Sequence, residues 1–156
     1  TTTRLIGWTG KLLAEHPDQR RQIVEDRALV APEIEEVLRY EAPSPAQARW
    51  VSRDVEHHGQ KIEQGSVMML LNGSANRDDR QFPDGDTFDI HREIGHHLSF
   101  GYGIHFCLGA PLARVEGQIA LGTLLRRAPA LALAEPSPEW RESSVLRGLK
   151  RLRVTW

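Results

Sequence analysis

The pattern of apolar residues predicts four helices. Residues 3–15 carry a broad apolar face at helical spacing, formed by Leu5, Ile6, Trp8, Leu12 and Leu13. The proline at position 17 breaks this pattern, and a more polar helix follows over residues 19–27. Another proline, at position 32, opens a short helix over residues 33–40. The fourth helix is predicted over residues 112–127, because apolar side chains recur there at helical spacing, namely Leu112, Val115, Ile119 and Leu124.

Between the third and fourth helices, apolar and polar residues alternate as in β-strands. Residues 48–53 and 60–63 are predicted as strands around a turn at Gly59, and residues 67–71 as a third strand. A long polar loop follows, of a length that is uncommon unless the loop is functional or packs on something large. Short apolar pairs predict strands in the tail. The chain is therefore expected to be mainly α with small β-sheets, an α+β architecture.

Composition excludes several classes of partner. The chain has 156 residues, with 20 basic and 21 acidic side chains and a net charge of −1, so nothing points to nucleic acid. Its single cysteine excludes an internal disulfide and fits a reducing compartment, which predicts a cytoplasmic location. No apolar run approaches the ~20 residues that cross a bilayer, so no membrane partner is expected. The first residue is Thr1, inside a helical pattern, and this start is expected to be a cut.

Residues 100–109 contain the candidate chemistry. They read Phe-Gly-Tyr-Gly-Ile-His-Phe-Cys-Leu-Gly, and a helix is predicted to start directly after them. A helix N-terminus favours a thiolate, so Cys107 is a candidate metal ligand. Three alternatives are open. Cys107 could be a small buried apolar residue, or a zinc ligand together with His96, His97 and His105, although no standard zinc spacing is present. It could also be a catalytic thiol, for which His105 is poorly placed as a base.

This stretch resembles the cysteine-ligand loop of the cytochrome P450 family of haem-thiolate monooxygenases. The resemblance implies that Cys107 binds the iron of haem b. It also implies that the loop contributes further haem-binding residues, namely Phe100, Gly101, Gly109 and His105. His97 is similar to a propionate-binding histidine of some bacterial members, although either histidine could be an ordinary loop residue. The resemblance extends to the end of the chain, and residues 1–156 are expected to be the C-terminal part of a single P450 domain.

A second signature lies in the predicted third helix. Arg39 is three residues from Glu36 and four from Glu35, and spacing alone predicts a surface ion pair with either one. Glu-x-x-Arg before the cysteine loop is also a P450 signature, which implies that Glu36 and Arg39 support that loop. The family commonly has arginine or histidine just before the following phenylalanine, where this chain has Thr87. The candidates to replace that side chain are Arg80, His91 and Arg92.

Further site residues are implied by the resemblance alone. The segment Arg-Trp-Val-Ser-Arg-Asp is similar to a P450 strand in which the first arginine, here Arg49, contacts a haem propionate; by itself it would be an exposed strand arginine. Thr1 matches a threonine that relays protons to dioxygen, although three successive threonines could simply cap a helix. The residues expected to line the substrate pocket are Pro45, Ala46, Val145 and Leu146.

The resemblance implies a monooxygenase that inserts one atom of O2 into a small hydrophobic organic substrate. The chain has no flavin or iron–sulfur motif, so the electrons are expected from an external ferredoxin or flavin reductase. The alternatives are a haem-thiolate peroxygenase, a gas-sensing haem protein, or a non-haem module with a buried cysteine. By itself the fragment is expected to be inactive, because the family is much longer.

Overall fold

The computed structural model describes residues 1–143 and 145–156, and within them it has the predicted α+β architecture. The helices are α1 (Thr2–Glu15), α2 (Pro17–Glu25), α3 (Val30–Tyr40), α4 (Asn72–Ala75) and α5 (Ala110–Arg127). The strands are β1 (Gln47–Trp50), β2 (Val55–His57), β3 (Gln60–Ile62), β4 (Val67–Leu70), β5 (Ala132–Leu133) and β6 (Val154–Thr155). Two short 3₁₀ turns cover Arg27–Leu29 and Gly103–His105.

The hydrophobic core lies where α1, α3 and α5 pack against one another. Its fully buried side chains come from all three helices and from the long loop, and include Leu5, Trp8, Leu13, Ile34, Val37, Phe88, Leu121 and Leu125. Gly117 allows α5 to approach the other two helices closely. A Cβ at this position would lie 3.1 Å from Ile34 Cδ1 and 3.2 Å from Leu5 Cδ2, so a larger residue would push the helices apart.

The predicted helices are present, and each of the four starts one to three residues earlier than the sequence pattern indicated. Pro17, which was expected to separate the first two helices, occupies the first turn of α2. Pro32 likewise lies in the first turn of α3, which begins at Val30. Proline fits these positions because the first N–H groups of a helix have no intrahelical acceptor. Both prolines therefore lie inside the first turns of these helices and do not mark breaks before them.

The predicted strand pairing was wrong. Residues 48–53 were expected to pair with 60–63 around Gly59, but β1 instead pairs antiparallel with β4, with Gln47 opposite Leu70. The turn at Gly59 joins a different hairpin, β2 to β3, in which His57 lies opposite Gln60. His58 and Gly59 both have positive φ, 51° and 76°, as a tight two-residue hairpin turn requires.

One side of α5 is exposed. The apolar residues that predicted this helix lie mostly on that side: Leu112, Val115 and Ile119 are 61%, 52% and 65% exposed. The buried side is formed by Ala110, Gly117, Leu121 and Leu125. The helix therefore presents an apolar stripe to solvent, here called the α5 stripe (Leu112, Val115 and Ile119). None of the helices in the described ranges is both long and apolar enough to cross a bilayer.

Candidate active site

Cys107 lies on an exposed loop directly before α5. The loop is closed by backbone hydrogen bonds, from Cys107 N–H to the Phe100 carbonyl at 2.9 Å and from Phe106 N–H to the Gly103 carbonyl at 3.0 Å. Gly101 and Gly103 both have φ of 73°, a conformation that residues with a Cβ rarely adopt. Because Cys107 is exposed, the alternative of a cysteine buried as a small apolar residue is wrong.

Cys107 lies directly before a helix N-terminus. Helix α5 begins three residues later, with Gly109 at the N-cap and a proline in the first turn. Unpaired N–H groups and the helix dipole at such an end stabilise a thiolate. The described residues contain no group of three or more histidine, cysteine or acidic side chains able to hold a metal ion. A zinc site of the kind considered from sequence therefore has no ligand set in this part of the chain.

A cavity of about 310 Å³ opens beside Cys107. It brings together five of the residues expected at the site: Thr1, Phe100, His105, Cys107 and Gly109. It is also lined by residues that the sequence analysis missed, among them Leu38, Pro43, Ser44, Gln47, Leu112 and Glu116. Pro43 and Ser44 belong to the same proline-rich segment as two of the expected pocket residues, Pro45 and Ala46.

Thr1 lies in this cavity without capping α1. It occupies the N-cap position, but its side chain makes no capping hydrogen bond, and only its carbonyl accepts from Arg4 N–H and Leu5 N–H. The capping alternative therefore gains no support at Thr1. Thr1 lines the same cavity as Cys107.

Arg49 lies next to this cavity. It lines an adjoining pocket of about 290 Å³ together with Gly101, and Gln47 lines both spaces. The Arg49 guanidinium donates to the Ala48 carbonyl at 2.9 Å and to Gln47 Oε1 at 3.2 Å. Arg49 has no carboxylate partner among the described residues, so its charge is available to an anion at this edge.

The four expected substrate-pocket residues lie elsewhere. Pro45 and Ala46 line a separate cleft beside Tyr40 and Arg77. Val145 and Leu146 lie in the tail, where both backbone N–H groups donate to Ser143 Oγ, at 3.4 and 3.0 Å. The structure does not bring these four residues to the cavity beside Cys107.

The two loop histidines differ in their surroundings. His105 is exposed, ends the 3₁₀ turn and lines the cavity. The His97 side chain is almost fully buried, and both of its ring nitrogens have partners: Nδ1 accepts from Ser99 N–H at 3.2 Å and Nε2 lies 3.2 Å from Glu35 Oε2. A propionate contact through His97 would require one of these hydrogen bonds to break.

Glu36 and Arg39 form a buried pair that reaches across the long polar loop. Arg39 donates to both carboxylate oxygens of Glu36, at 2.7 and 2.8 Å. It also donates to three backbone carbonyls, those of Asn76, Gly85 and Thr87, at 2.9, 2.8 and 3.1 Å. The alternative of a surface ion pair is wrong, because both side chains are shielded from solvent.

Arg92 supplies the cationic side chain that the family commonly has at the position of Thr87. Its Nε lies 3.5 Å from Glu36 Oε1, and its other nitrogens donate to the carbonyls of Pro83, Asp84 and Thr87 at 2.6, 3.0 and 3.1 Å. The other two candidates are engaged elsewhere, Arg80 with Asp78 and His91 with Gln22. Thr87 thus contributes its carbonyl to this network, and Arg92 supplies the second cation near Glu36.

Asn76 connects this network to the cysteine loop, a role that the sequence analysis missed. The residue is completely buried. Its Oδ1 accepts from Leu98 N–H at 2.7 Å, and its Nδ2 donates to Ser99 Oγ at 2.8 Å, while its carbonyl accepts from Arg39. Asn76 therefore ties α3 to the residues that precede Phe100. An asparagine in a polar loop gives no sequence signal for such a contact.

The residues around Cys107 fit a haem. The exposed sulfur faces an open cavity, and the loop presents large apolar side chains to solvent, with Ile104 98% and Leu108 99% exposed. Apolar side chains so exposed beside an exposed thiol suit a large flat apolar group. His105 lines this cavity and Arg49 lines the adjoining pocket, and both side chains suit carboxylates.

The chain is similar in sequence to bacterial cytochrome P450 proteins. The chain is 45% identical over 152 residues to 6-deoxyerythronolide B hydroxylase of Saccharopolyspora erythraea, covering 96% of this chain and 38% of the relative. It is 44% identical over 156 residues to a biotin biosynthesis cytochrome P450 of Bacillus subtilis, covering 100% of this chain and 40% of the relative. The chain thus spans well under half the length of these relatives.

Solved structures and a family model agree with these relatives. A structure of CYP109E1 from Bacillus megaterium in complex with testosterone superimposes with a TM-score of 0.95 at 40% identity, covering 99% of this chain and 43% of the other. A structure of P450BioI with an acyl carrier protein carrying hexadec-9Z-enoic acid gives 0.95 at 44% identity, covering 99% and 40%. The Cytochrome P450 family model matches residues 12–146. The chain, with its exposed cysteine at the start of α5 and its buried Glu-x-x-Arg pair, belongs to the cytochrome P450 family.

Proposed function

We propose that residues 1–156 are the C-terminal part of a single P450 domain of a cytoplasmic haem-thiolate monooxygenase. The reaction is the insertion of one oxygen atom of O2 into a small hydrophobic organic substrate. The observation that carries this proposal is the exposed Cys107 thiol, held at the start of α5 and facing a cavity. Hydroxylation is supported by the names of two relatives, hydroxylases of 6-deoxyerythronolide B and of vitamin D(3).

Cys107 is the residue that would hold the iron of haem b. Arg49 and His105 would bind its propionates, because a guanidinium or imidazole pairs well with a carboxylate. Phe100, Gly101 and Gly109 shape the surface against which it would lie. When bound, a thiolate-ligated haem supplies the activation of O2, because sulfur donation favours cleavage of the O–O bond.

Thr1 is the candidate for holding a proton at the reacting side of the cavity. Its hydroxyl is a donor and an acceptor, and it is not engaged in capping α1. Pro45, Ala46, Val145 and Leu146 remain the proposed substrate-contacting residues, although they lie outside the cavity beside Cys107. Electrons would come from an external partner, a ferredoxin or a flavin reductase.

The experiment is a carbon monoxide difference spectrum of the longer protein that contains this chain. The reduced protein should give the Soret band of a haem-thiolate, and Cys107→Ser should abolish it. Ser52→Ala, which removes an exposed hydroxyl outside the cavity beside Cys107 and leaves the ligand intact, is the control. An unchanged spectrum in Cys107→Ser would reject the ligand assignment. Product formation with peroxide but not with a reductase would indicate a peroxygenase.

A further inference from the structure

Glu35 links three elements that surround the cysteine loop. It lies on α3, and its Oε1 accepts from Arg114 Nε on α5 at 2.6 Å. Its Oε2 accepts from Arg114 Nη2 at 3.0 Å and lies 3.2 Å from His97 Nε2 on the loop. One carboxylate therefore receives the two-pronged contact of a guanidinium and the contact of an imidazole, the arrangement that gives the strongest hydrogen bonds.

The hydrogen bonds of His97 define its tautomer. Nδ1 accepts from the Ser99 N–H, so this nitrogen carries no proton. The proton of the neutral ring is then on Nε2, which donates it to Glu35. The ring is therefore held at both nitrogens, between the carboxylate on α3 and the backbone directly before Phe100.

Both partners of Glu35 contact the Phe100 ring. The Arg114 guanidinium carbon lies 4.7 Å from the ring centroid, a cation–π distance. The His97 and Phe100 ring centroids are 5.7 Å apart. Phe100 in turn accepts the Cys107 N–H through its carbonyl at 2.9 Å. A continuous set of contacts thus runs from the Glu35 carboxylate through the Phe100 ring to the backbone of Cys107.

Glu35 carries a negative charge in this setting, because its pKa is lowered. Burial acts to raise the pKa of Glu35, but the hydrogen bonds from His97 and Arg114 outweigh it and lower the pKa to about 2. The same contact raises the pKa of Arg114. Both groups are therefore ionised across the physiological range, and the contact does not depend on a proton near neutral pH.

We propose that Glu35 is a positioning residue for the Cys107 loop, because it holds Arg114 and His97 against the Phe100 ring. The next residue on α3, Glu36, belongs to the separate network of Arg39. Two adjacent glutamates therefore serve two different parts of the site: Glu36 ties the polar loop, and Glu35 orders the loop that carries the thiol. The inference concerns loop geometry in this chain and relies on the proposed function only for the role of Cys107 as ligand.

The test is amide hydrogen exchange followed by mass spectrometry on the haem-free form of the longer protein that contains this chain. Glu35→Gln keeps the shape of the side chain and removes its charge. We expect exchange in residues 97–108 to become about 10-fold faster, while residues 121–128 keep their rates, because local opening is separable from global unfolding. The matched control is Glu15→Gln, which removes an i, i+4 ion pair with Lys11 on α1 and should leave both segments unchanged.

A double-mutant cycle with Arg114→Gln tests the connection directly. If Glu35 acts by holding Arg114, the double variant should exchange no faster in residues 97–108 than the more affected single variant. Equal acceleration of both segments would mean that Glu35 supports only global stability and would overturn the proposal. The proposal would also be overturned by unchanged exchange rates in residues 97–108, or by additive effects of the two substitutions. Fast exchange in both segments of the unsubstituted protein would overturn it as well. None of these readouts needs haem, so a failure of the proposed function is seen separately, in the carbon monoxide spectrum.

Discussion

Arg39 and Glu36 are paired through two parallel hydrogen bonds in the interior of the protein, and neither side chain is accessible to solvent. Glu36 Oε1 also accepts from Asp89 N–H at 2.9 Å. Arg39 Nη1 donates to two backbone carbonyls, and Nη2 donates to a third. A buried charge pair is stable only when its other hydrogen-bonding groups are also satisfied, and here the long polar loop supplies those groups. The pair thus fixes a segment that has no regular secondary structure of its own.

Removing either member of this pair should be strongly destabilising. Glu36→Ala or Arg39→Ala leaves a buried charge without its partner, a loss of roughly 3–5 kcal/mol in the free energy of unfolding. The measurement is thermal or urea unfolding, and little holoprotein is expected from the longer protein. Arg21→Ala is the matched control, since it breaks an i, i+3 pair with Asp18 on an exposed face and should cost almost nothing. Normal melting of both buried variants would refute the supporting role.

Arg92→Ala should be destabilising, whereas Arg80→Ala should be nearly neutral. Arg92 donates to three carbonyls and lies beside the buried Glu36, so its removal is expected to cost about 1–3 kcal/mol. Arg80 is exposed and contacts only Asp78 among the described side chains. Urea unfolding of the two variants measures the difference. Equal midpoints would mean that Arg92 does not complete the network around Glu36.

The sequence was sufficient where the signal is local. Helical periodicity located α1, α3 and α5, and the loop around Cys107 was recognisable because its glycines and its cysteine are contiguous. Partners that are distant in sequence were not accessible in this way. The strand over residues 48–53 alternates clearly, but alternation says nothing about its partner, and β1 pairs with β4 across an intervening hairpin.

The same limit applies to the side chains of the site. His97 and Glu35 are 62 residues apart, and Asn76 and Ser99 are 23 apart, so neither contact leaves a pattern in the chain. The α5 stripe shows a further limit. Periodicity identified the helix correctly but could not tell which of its apolar residues face the core, because Gly117 and Leu121, on the other side, make the close contacts.

Glu33 should make the protein less stable as the pH rises. It is completely buried, and neither carboxylate oxygen has a hydrogen-bond partner among the described residues. Burial, followed by the nearby Glu36 carboxylate, raises the pKa of Glu33 to about 8 from an ordinary value of 4.5. Between these two values the folded state binds more protons than the unfolded state, so the free energy of unfolding falls as the pH rises.

Two variants on the same helix separate this effect from its opposite. Glu33→Gln should remove the decline in melting temperature between pH 5 and pH 8, because an amide does not titrate. Glu35 has a lowered pKa, so its stabilisation is present above its ordinary pKa and is lost only as the pH falls towards 2. Glu35→Gln should therefore change the acid limb and leave the decline above pH 5 intact. A decline that persists unchanged in Glu33→Gln would show that another group causes it.

The last prediction concerns residues 1–156 in isolation: we expect them to bind haem weakly or not at all, to associate, and to show no monooxygenase turnover. The α5 stripe and the loop residues Ile104 and Leu108 expose apolar area that water solvates poorly, and contiguous exposed apolar area promotes association. A haem stabilises only a state that has formed its site, and the cavity that the described residues line beside Cys107 is open on one side. Light scattering measures association, and a haem titration followed in the visible range measures binding. Ile119→Gln should reduce scattering more than Leu71→Gln, since both residues are similarly exposed but only the first belongs to the α5 stripe. A monomeric chain with stoichiometric haem and reductase-dependent hydroxylation would show instead that this site is self-contained.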